Sequence, residues 1–485
     1  MFGLRNHSRP GACGRALIFA LLCVILGCPQ PANGQPEKPK HPIPGSLELI
    51  DQLRKDEFRK LETLLNRLQA AYEAGKIPEE TVNSAFAAFM NSGADLKGRL
   101  DAWILRFPGS YAALLARGYH TKALGWHARQ GAYVKFTDPT QMRRMEQYFA
   151  RARADFNAAL EINPRLTIAY AEMIGIAMAL GLDHERVALM AKGLAIDPAS
   201  PSVHYAYLYT LRPEWGGSFS AMERFVFMTE AKRLLNPKIP NLKESVVRAR
   251  ANRFRLEGKY RDAIGILDKA IADLGHYASF YRLRGACRRA LRNFGPALED
   301  LNRALTIDPE NPGTLSDRAL LYFIQDRHTA GLKDVTLALK YDPRDPGLLR
   351  LRADIYRAMK KPEAAIRDLR EAMEFGSFDS DVWMTPAKIY AIDMNDPTKA
   401  MAYMENMARL RPRHPDTWLG YHSVAMDIGM HLYQHKRDCD GARVFLRFLN
   451  SCRDNAVCKK RLWYTAAPIM GSAVAETKCR ASAAP

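Results

Sequence analysis

The chain has 485 residues, of which 47% are apolar and 25% are charged. This globular mixture excludes a fully disordered chain, a collagen and a membrane protein with many spans. Lysine and arginine together number 71 against 52 aspartates and glutamates, which gives a formal net charge of +19. Such a surplus favours an acidic partner or an anionic surface, and it carries no information about the fold.

The segment 1–34 has the pattern of an export signal. Three arginines precede the apolar run 16–26, which is too short to span a bilayer. Small residues before Gln35 predict cleavage at that point, whereas the residues ending in Cys28 resemble a bacterial lipobox and predict a lipid on that cysteine. Leu26 stands where a lipobox usually has a small residue. The sequence therefore predicts an exported protein, either periplasmic or secreted, with an outer-membrane lipoprotein as the alternative.

A constant period organises the second half of the chain. Pro309 and Pro343 are 34 residues apart, and the same spacing of 34 residues separates Pro164 from Pro198. In this register, small residues recur at repeat positions 8, 20 and 27, which lets two antiparallel helices approach closely. Four units follow one another in phase: 244–277, 278–311, 312–345 and 346–379. A fifth unit, 380–414, has one inserted residue.

This pattern resembles the tetratricopeptide repeat, or TPR. The resemblance implies an all-α fold, a TPR-type solenoid of antiparallel helix pairs stabilised by stacking of neighbours. Two weaker units precede the array. In the first of them Gly118 and Ala152 stand at positions 8 and 20 but are a full period apart, an excess of 22 over the regular spacing. Together with the irregular segment 213–218, this excess resembles an uncharacterised bacterial domain that accompanies TPR units.

These observations divide the chain into five predicted parts. Six prolines lie between Pro29 and Pro44, from the end of the leader through the linker, and the body begins with an amphipathic helix. The predicted parts are a signal peptide at 1–34, a Pro-rich linker at 35–46, an N-terminal helical domain with degenerate TPR units at 47–240, the TPR array at 244–414 and a C-terminal helical cap with disulfides at 415–485.

Arginine at repeat position 7 and aspartate at position 23 predict structural ion pairs. Positions 7 and 23 are 16 residues apart, which brings the middle of the first helix of a unit beside the middle of the second. A guanidinium can hold a carboxylate there with two hydrogen bonds. The predicted pairs are Arg284 with Asp300, Arg318 with Asp334, and Arg352 with Asp368. Arg250 has Ile266 at the corresponding position, so it needs another partner or is solvated.

The family resemblance implies that positions 5, 9 and 12 of the first helices face a concave groove. Six arginines and an apolar step occupy these positions, which predicts a basic groove for an acidic protein, peptide or polymer. A solvated basic face is the alternative, and nucleic acid is disfavoured because no aromatic platform accompanies the arginines. The predicted partner-binding residues are Arg248, Asn252, Arg255, Arg282, Arg289, Leu320, Phe323, Arg350 and Arg357. Arg248 with Asn252 resembles half of the carboxylate clamp of some TPR proteins, whose other residues are not matched.

Four cysteines crowd into the C-terminal segment 439–485. Their even number in a chain with an export signal predicts two disulfides rather than a zinc site. The short loop between Cys452 and Cys458 favours that bridge, and Cys439 with Cys479 then follows as one of three connectivities.

No sequence motif of an enzyme or a cofactor site is present. The sequence predicts a scaffold with no enzymatic activity, no cofactor and no metal. One helical stripe, Asp427, His431, His435 and Cys439, has the spacing of metal ligands, and we interpret it as a surface stripe. Two alternatives stay open: an enzyme or metal-binding accessory with its site in the 126–147 insertion or near His431 and His435, and a lipid-anchored structural protein of the envelope.

Overall fold

The structure is a computed structural model. It describes residues 46–90, 96–129, 139–343, 345–374, 380–410, 415–434 and 438–453, with residues 455, 458 and 459. These residues form 22 α-helices and no β-strand. The predicted leader, Cys28, His435 and Cys479 lie outside the described residues. None of the helices in the described ranges is both long enough and apolar enough to cross a membrane.

Ten helices precede the regular array. They are α1 (Ser46–Arg54), α2 (Phe58–Glu73), α3 (Glu79–Ala87), α4 (Leu96–Arg106), α5 (Tyr111–Arg129), α6 (Pro139–Ile162), α7 (Thr167–Ala179), α8 (Asp183–Ile196), α9 (Pro201–Thr210) and α10 (Phe219–Arg233). A single 3₁₀ turn, Pro213–Trp215, separates α9 from α10.

Twelve helices form the array and the C-terminal part. They are α11 (Lys243–Leu256), α12 (Tyr260–Leu274), α13 (Ala278–Ala290), α14 (Phe294–Ile307), α15 (Pro312–Ile324), α16 (His328–Tyr341), α17 (Pro346–Ala358), α18 (Pro362–Glu374), α19 (Ser380–Lys388), α20 (Pro397–Leu410), α21 (Pro415–Gln434) and α22 (Asp438–Arg453). A π-helical turn, Ile389–Asp393, continues α19.

The helices repeat with the predicted period. Helices α13, α15 and α17 begin exactly one period apart in the sequence, and so do their partners α14, α16 and α18. The turn between the two helices of each unit contains a left-handed residue at the same repeat position: Gly258, Arg292, Asp326 and Lys360. Each helix packs against its partner and against the next unit. The predicted all-α solenoid of antiparallel helix pairs is confirmed.

Local sequence explains where the first helices begin. Asn311 and Asp345 precede α15 and α17, and their side chains accept hydrogen bonds from backbone N–H groups of the first turn. A proline follows each of them at the first helical position, where its missing N–H costs nothing. These caps fix the first residue of α15 and of α17 and so help to set the register of their two units.

Small residues let the two helices of a unit touch. A Cβ atom at Gly285 would lie 3.1 Å from the carbonyl oxygen of Ala297 and 3.0 Å from Leu301 Cγ. Gly285 occupies repeat position 8 and Ala297 position 20, two of the positions where the sequence has small residues. A larger residue at either position would force the helices apart, since the interior is close-packed.

Two units are longer than the regular unit, and the structure shows where each of them is lengthened. The extra residue of the fifth unit coincides with the π-helical turn 389–393, which accommodates one residue more than an α-helical turn. The excess between Gly118 and Ala152 lengthens the hairpin of α5 and α6, which have 19 and 24 residues. Helices of a regular unit have 13 to 15 residues.

Candidate functional site

Each predicted Arg–Asp pair is present as a bidentate contact. Arg318 Nε and Nη2 donate to the two carboxylate oxygens of Asp334 at 2.6 and 2.9 Å. The corresponding distances in the next unit are 2.7 and 2.8 Å, between Arg352 and Asp368. Arg284 makes the same contact with Asp300. The aspartates are buried, and the hydrogen bonds that Arg318 donates to Asp334 raise the pKa of Arg318.

The same arginines also reach back to the preceding unit. Arg284 Nη1 donates to Asp268 on α12 at 2.5 Å, and Arg318 Nη1 donates to Asn302 on α14 at 2.8 Å. Both acceptors lie 16 residues before the arginine. Arg284 and Arg318 therefore join the two helices of their own units and link each unit to the one before it.

The N-terminal region contains a copy of this link that the sequence analysis missed. Arg117 Nε and Nη2 donate to Asp155 at 3.0 and 2.6 Å, and its Nη1 donates to Asp101, again 16 residues earlier. Arg117 directly precedes Gly118, and Asp155 lies three residues after Ala152, so the same repeat register would have found both. Burial raises the pKa of Asp155, and Arg117 opposes that rise.

Arg250, which lacks an aspartate in its own unit, has a different partner. Its Nη2 donates to Glu223 on α10 at 2.6 Å. Its guanidinium also lies over the ring of Phe219, 5.2 Å from the centroid. The first regular unit is therefore joined to α10 through this arginine.

The arginines predicted to line the groove lie on the first helices, but carboxylates accompany most of them. Arg248 bonds to Glu244 one turn earlier at 3.1 Å, and Arg357 bonds to Asp393 at the π-helical turn. Arg350 approaches Asp354 at 3.8 Å. Glu244 also accepts a hydrogen bond from Ser279 on the next first helix. The face carries both signs of charge rather than a purely basic stripe.

Arg282 and Arg289, which are predicted to bind a partner, lie beside a carboxylate of the next unit. Asp317 on α15 accepts from Arg282 Nε at 2.7 Å and lies 3.9 Å from Arg289 Nη2. The physical reason is that the next first helix stacks against α13 and brings its own carboxylate between the two guanidinium groups. Asp317 stands at position 6 of the following unit, which the pairing of positions 7 and 23 within a unit does not include.

Two arginines of this face keep unused hydrogen-bonding capacity. Arg255 donates only to the Oδ1 atom of Asn252, and no carboxylate pairs with it in the described part of the chain. Arg289 shares Asp317 with Arg282, and its buried Nε atom has no hydrogen-bond acceptor among the described residues. Counted over the face, six arginines meet four carboxylates, and the surplus of two positive charges falls on Arg255 and Arg289.

The charges of both arginines act on one buried residue, Cys287. Cys287 on α13 is buried, and burial raises the pKa of its thiol to about 11. Arg255 from α11 and Arg289 from α13 both lower that pKa through their charge. Their guanidinium groups therefore act at the same place, where α11 and α13 lie side by side.

The remaining predicted groove residues have structural contacts. Leu320 and Phe323 are partly buried and pack against the core of the C-terminal half. The ring of Phe323 also lies 5.7 Å from that of His328, the first residue of the following helix. Asn252 holds Arg255, so its carboxamide oxygen is engaged within the chain, and Arg248 is engaged by Glu244.

The stripe of residues that has the spacing of metal ligands does not lie on a single helix. Asp427 and His431 lie on α21, which ends at Gln434, whereas Cys439 lies on α22. Asp427 pairs with Lys388 at 2.6 Å, and Cys439 is bonded in a disulfide. Within the described ranges, no group of three or more His, Cys, Asp and Glu residues has the arrangement of a metal site.

The C-terminal cysteines follow the prediction as far as the structure describes them. The bridge between Cys452 and Cys458 is confirmed. Cys439 is disulfide-bonded, and its pairing with Cys479 stays a prediction because Cys479 lies outside the described residues. Mass spectrometry of a non-reduced digest is expected to give a peptide that joins Cys439 to Cys479; a peptide with either cysteine as a free thiol would contradict this pairing.

Comparison with known proteins adds similar folds and nothing beyond them. No family profile matches the sequence, and no curated protein matches it. A tetratricopeptide repeat protein from Parabacteroides merdae is 15% identical over 60% of this chain and 96% of its own, with a TM-score of 0.33. The Cut9–Hcn1 hetero-tetramer of the APC/C is 16% identical over 76% of this chain and 67% of its own, with a TM-score of 0.37. At such values, the assignment of the fold rests on the helix pairs themselves.

Proposed function

We propose that this chain, a tetratricopeptide-repeat protein by the geometry of its helix pairs, is an interaction scaffold that holds an acidic segment of a protein partner. The observation that carries the proposal is the unused hydrogen-bonding capacity of Arg255 and Arg289 on adjacent first helices. A carboxylate placed between them would accept charge-assisted hydrogen bonds and would neutralise the surplus charge. The arginines already matched by Glu244, Asp317, Asp354 and Asp393 would then border the bound segment rather than bind it.

The position of these two arginines favours one binding point. Adjacent packed helices lie about 8–10 Å apart, close to a Debye length at physiological salt, so the two charges still add their fields. A second copy of the arrangement at α15 is absent from the described face, because Leu320 and Phe323 occupy the corresponding positions 9 and 12. An acidic segment would therefore be held at one end of the array and continue over this apolar step.

Labelled peptides test this proposal. Three fluorescent peptides of equal length would carry glutamate, glutamine or lysine at the same positions, and fluorescence anisotropy would measure their binding to the full chain. The glutamate peptide is expected to bind, and to bind more weakly as salt is raised. The double variant Arg255→Gln/Arg289→Gln is expected to weaken its binding about 10-fold, which corresponds to about 1.4 kcal/mol.

A matched control separates local contacts from net charge. Lys269 and Arg303 lie at the same repeat position of successive units, on the second helices α12 and α14, and both are exposed. The variant Lys269→Gln/Arg303→Gln removes the same charge from the other side of the units and is expected to leave binding unchanged. Equal loss in both double variants, or equal binding of the glutamate and lysine peptides, would show that no acidic site exists at Arg255 and Arg289.

We further propose that the protein is exported. The proposal rests on the leader-like pattern of residues 1–34, with cleavage before Gln35 or lipidation of Cys28 as the two processing routes. Cell fractionation with a C-terminal tag, followed by mass measurement of the purified chain, distinguishes them. A mass that begins at Gln35 supports the soluble form, a lipid-bearing mass at Cys28 supports the lipoprotein, and an uncleaved chain in the cytoplasm contradicts export.

A further inference from the structure

A cavity of about 570 Å³ opens in the N-terminal region. Helices α3, α5, α7 and α9 and the 3₁₀ turn after α9 all contribute to its lining. Two irregular segments of the sequence meet here: Trp126 from the lengthened hairpin and Trp215 from the segment 213–218 lie with ring centroids 6.0 Å apart. The guanidinium of Arg129 lies over both rings, at 5.3 and 5.7 Å. The departures from the regular repeat therefore build this cavity.

The walls of the cavity are aromatic. Trp126, Tyr205, Tyr209 and Trp215 are four of its fourteen described lining residues, and none of the fourteen is leucine, isoleucine or valine. Tyr205 and Tyr209 are one turn apart on α9, and 41% and 44% of their surfaces are exposed. Small-molecule pockets are usually lined by aliphatic and aromatic side chains together. This cavity instead offers flat ring faces beside small residues, which suits a flat ligand with apolar C–H faces.

The cavity also has a polar floor. Lys122 Nζ donates to Glu172 Oε2 at 2.5 Å, and the two side chains are only 10% and 14% exposed. An ammonium group has three protons, and Glu172 is the only acceptor for Lys122 within the described residues. The other carboxylate oxygen of Glu172 has no donor in that same part of the chain. The pair therefore presents further donors and a further acceptor to the cavity while its own charges cancel.

A third polar group is held in a fixed orientation. Asn83 lines the cavity, and its Oδ1 atom accepts a hydrogen bond from the buried hydroxyl of Tyr119 at 2.9 Å. This bond leaves the amide NH2 group of Asn83 as the donor that is available to a ligand. Donors and an acceptor in fixed positions thus line the same cavity as the exposed rings of α9.

We propose that this cavity binds a neutral oligosaccharide. Sugar rings present apolar C–H faces to aromatic rings and hydroxyl groups, each both donor and acceptor, to fixed polar groups. Glu80 also lines the cavity with an exposed carboxylate, which repels an anionic ligand and can accept hydrogen bonds from hydroxyl groups. A charged ligand would in addition have to compete with the buried ion pair, and breaking such a pair is costly. The volume lies within the range of about 300–1,000 Å³ that small-molecule sites span. This inference is independent of the acidic-peptide site, since the two share no residue.

Titration with defined sugars tests the inference. The probes are four neutral trisaccharides, namely cellotriose, chitotriose, maltotriose and laminaritriose, added to the full chain in a calorimeter. At least one is expected to bind with a Kd of about 1 mM or lower. The variant Tyr205→Ala/Tyr209→Ala is expected to weaken that binding at least about 10-fold. The variant Tyr205→Phe/Tyr209→Phe keeps both rings and is expected to retain it.

Two further variants keep the test independent of folding. Phe227→Ala on α10 removes a ring that is 79% exposed and distant from the cavity lining, and it is expected to leave sugar binding unchanged. Lys122→Met/Glu172→Gln removes the ion pair without leaving a buried unpaired charge, and it is expected to abolish sugar binding while the melting temperature is measured in parallel. Acidic-peptide binding should persist in both tyrosine variants, which separates a failure here from a failure of the proposed scaffold function.

Three results would overturn the inference. The first is no heat of binding for any of the four sugars at 10-fold above the expected Kd. The second is sugar binding that the tyrosine-to-alanine variant does not weaken. The third is binding of an uncharged apolar tripeptide that this same variant abolishes, in a chain that binds none of the sugars; the cavity would then be a peptide pocket.

Discussion

The regular array and the N-terminal region contain the same arginine–aspartate link in different surroundings. In the array the linked residues are 16 apart, as in Arg284 and Asp300, and a short turn joins the two helices. In the N-terminal hairpin, Arg117 and Asp155 are 38 apart because the helices α5 and α6 continue past the link. The comparison shows that the link fixes the spacing of two helices near their middle and leaves the far end of the hairpin free to lengthen.

The two regions differ in their side chains at the lengthened end of the hairpin formed by α5 and α6. The extra turns of α5 carry Trp126 and Arg129 towards Trp215, so the N-terminal region gains an aromatic cavity that no regular unit has room to form. The array instead presents charged first helices whose arginines are mostly matched by carboxylates. Repetition preserves the scaffold, and a departure from repetition creates a separate pocket.

The largest effect is expected from removing a buried carboxylate of the array. Asp300 is buried and accepts hydrogen bonds from Arg284 and Arg288. The variant Asp300→Ala would remove this shared acceptor from both guanidinium groups. We expect a loss of about 3–5 kcal/mol in the free energy of unfolding. Urea denaturation followed by circular dichroism measures it. The variant Arg284→Met/Asp300→Leu should recover most of the loss, and a single variant as stable as wild type would refute the structural role.

The equivalent change in the N-terminal region should be milder. Asp155 is 9% exposed at its side chain and holds one arginine, Arg117, which is 30% exposed, whereas Arg284 beside Asp300 is 14% exposed. Because water can solvate the remaining guanidinium, we expect Asp155→Ala to cost about 2 kcal/mol. Hydrogen exchange should show the loss in α5 and α6 first. Equal destabilisation by the Asp155 and Asp300 variants would remove the distinction between the two regions.

The sequence predicted the helix pairs of the array and the ion pairs within its units. It did not predict the contacts between units or the contacts around the N-terminal cavity. Proline spacing and small residues located every helix pair of the array, and the constant spacing of positions 7 and 23 found Arg284, Arg318 and Arg352 with their aspartates. Asp317 was missed because it belongs to the following unit, and contacts between units depend on how the helices stack. The pair of Lys122 and Glu172, 50 residues apart, has no local pattern that would reveal it.

A glycine substitution tests how tightly the lengthened hairpin is closed. A Cβ atom at Gly118 would lie 2.5 Å from the buried ring of Phe156, whereas a Cβ at Gly265 on α12 meets no atom within 4 Å. Alanine at position 118 gains helix propensity and forces the ring to move, so we expect a net loss of about 1 kcal/mol. Gly265→Ala should stabilise the chain by about 0.5–1 kcal/mol. Thermal melts of both variants decide the matter, and a stabilised Gly118 variant would contradict the close contact.

The smallest expected effect is a dependence of the N-terminal region on pH. His204 on α9 is buried, its Nε2 lies 3.0 Å from the carbonyl oxygen of Pro198, and its Nδ1 has no partner among the described residues. Burial lowers the pKa of His204, and the charge of Lys232 adds to this, while Pro198, Asp197 and Glu79 oppose it.

The sign of the effect follows from where the proton binds. In the unfolded chain the histidine takes up a proton near its ordinary pKa of 6.5, whereas the folded chain resists protonation. The stability of the region is therefore complete above pH 6.5 and falls as the pH is lowered. Because the imidazole is replaced by a neutral amide, His204→Gln should flatten the pH dependence of hydrogen exchange in α9 between about pH 5 and 7 and leave the exchange of the array helix α14 as in wild type. Unchanged pH dependence in α9 would show that this histidine does not titrate with unfolding.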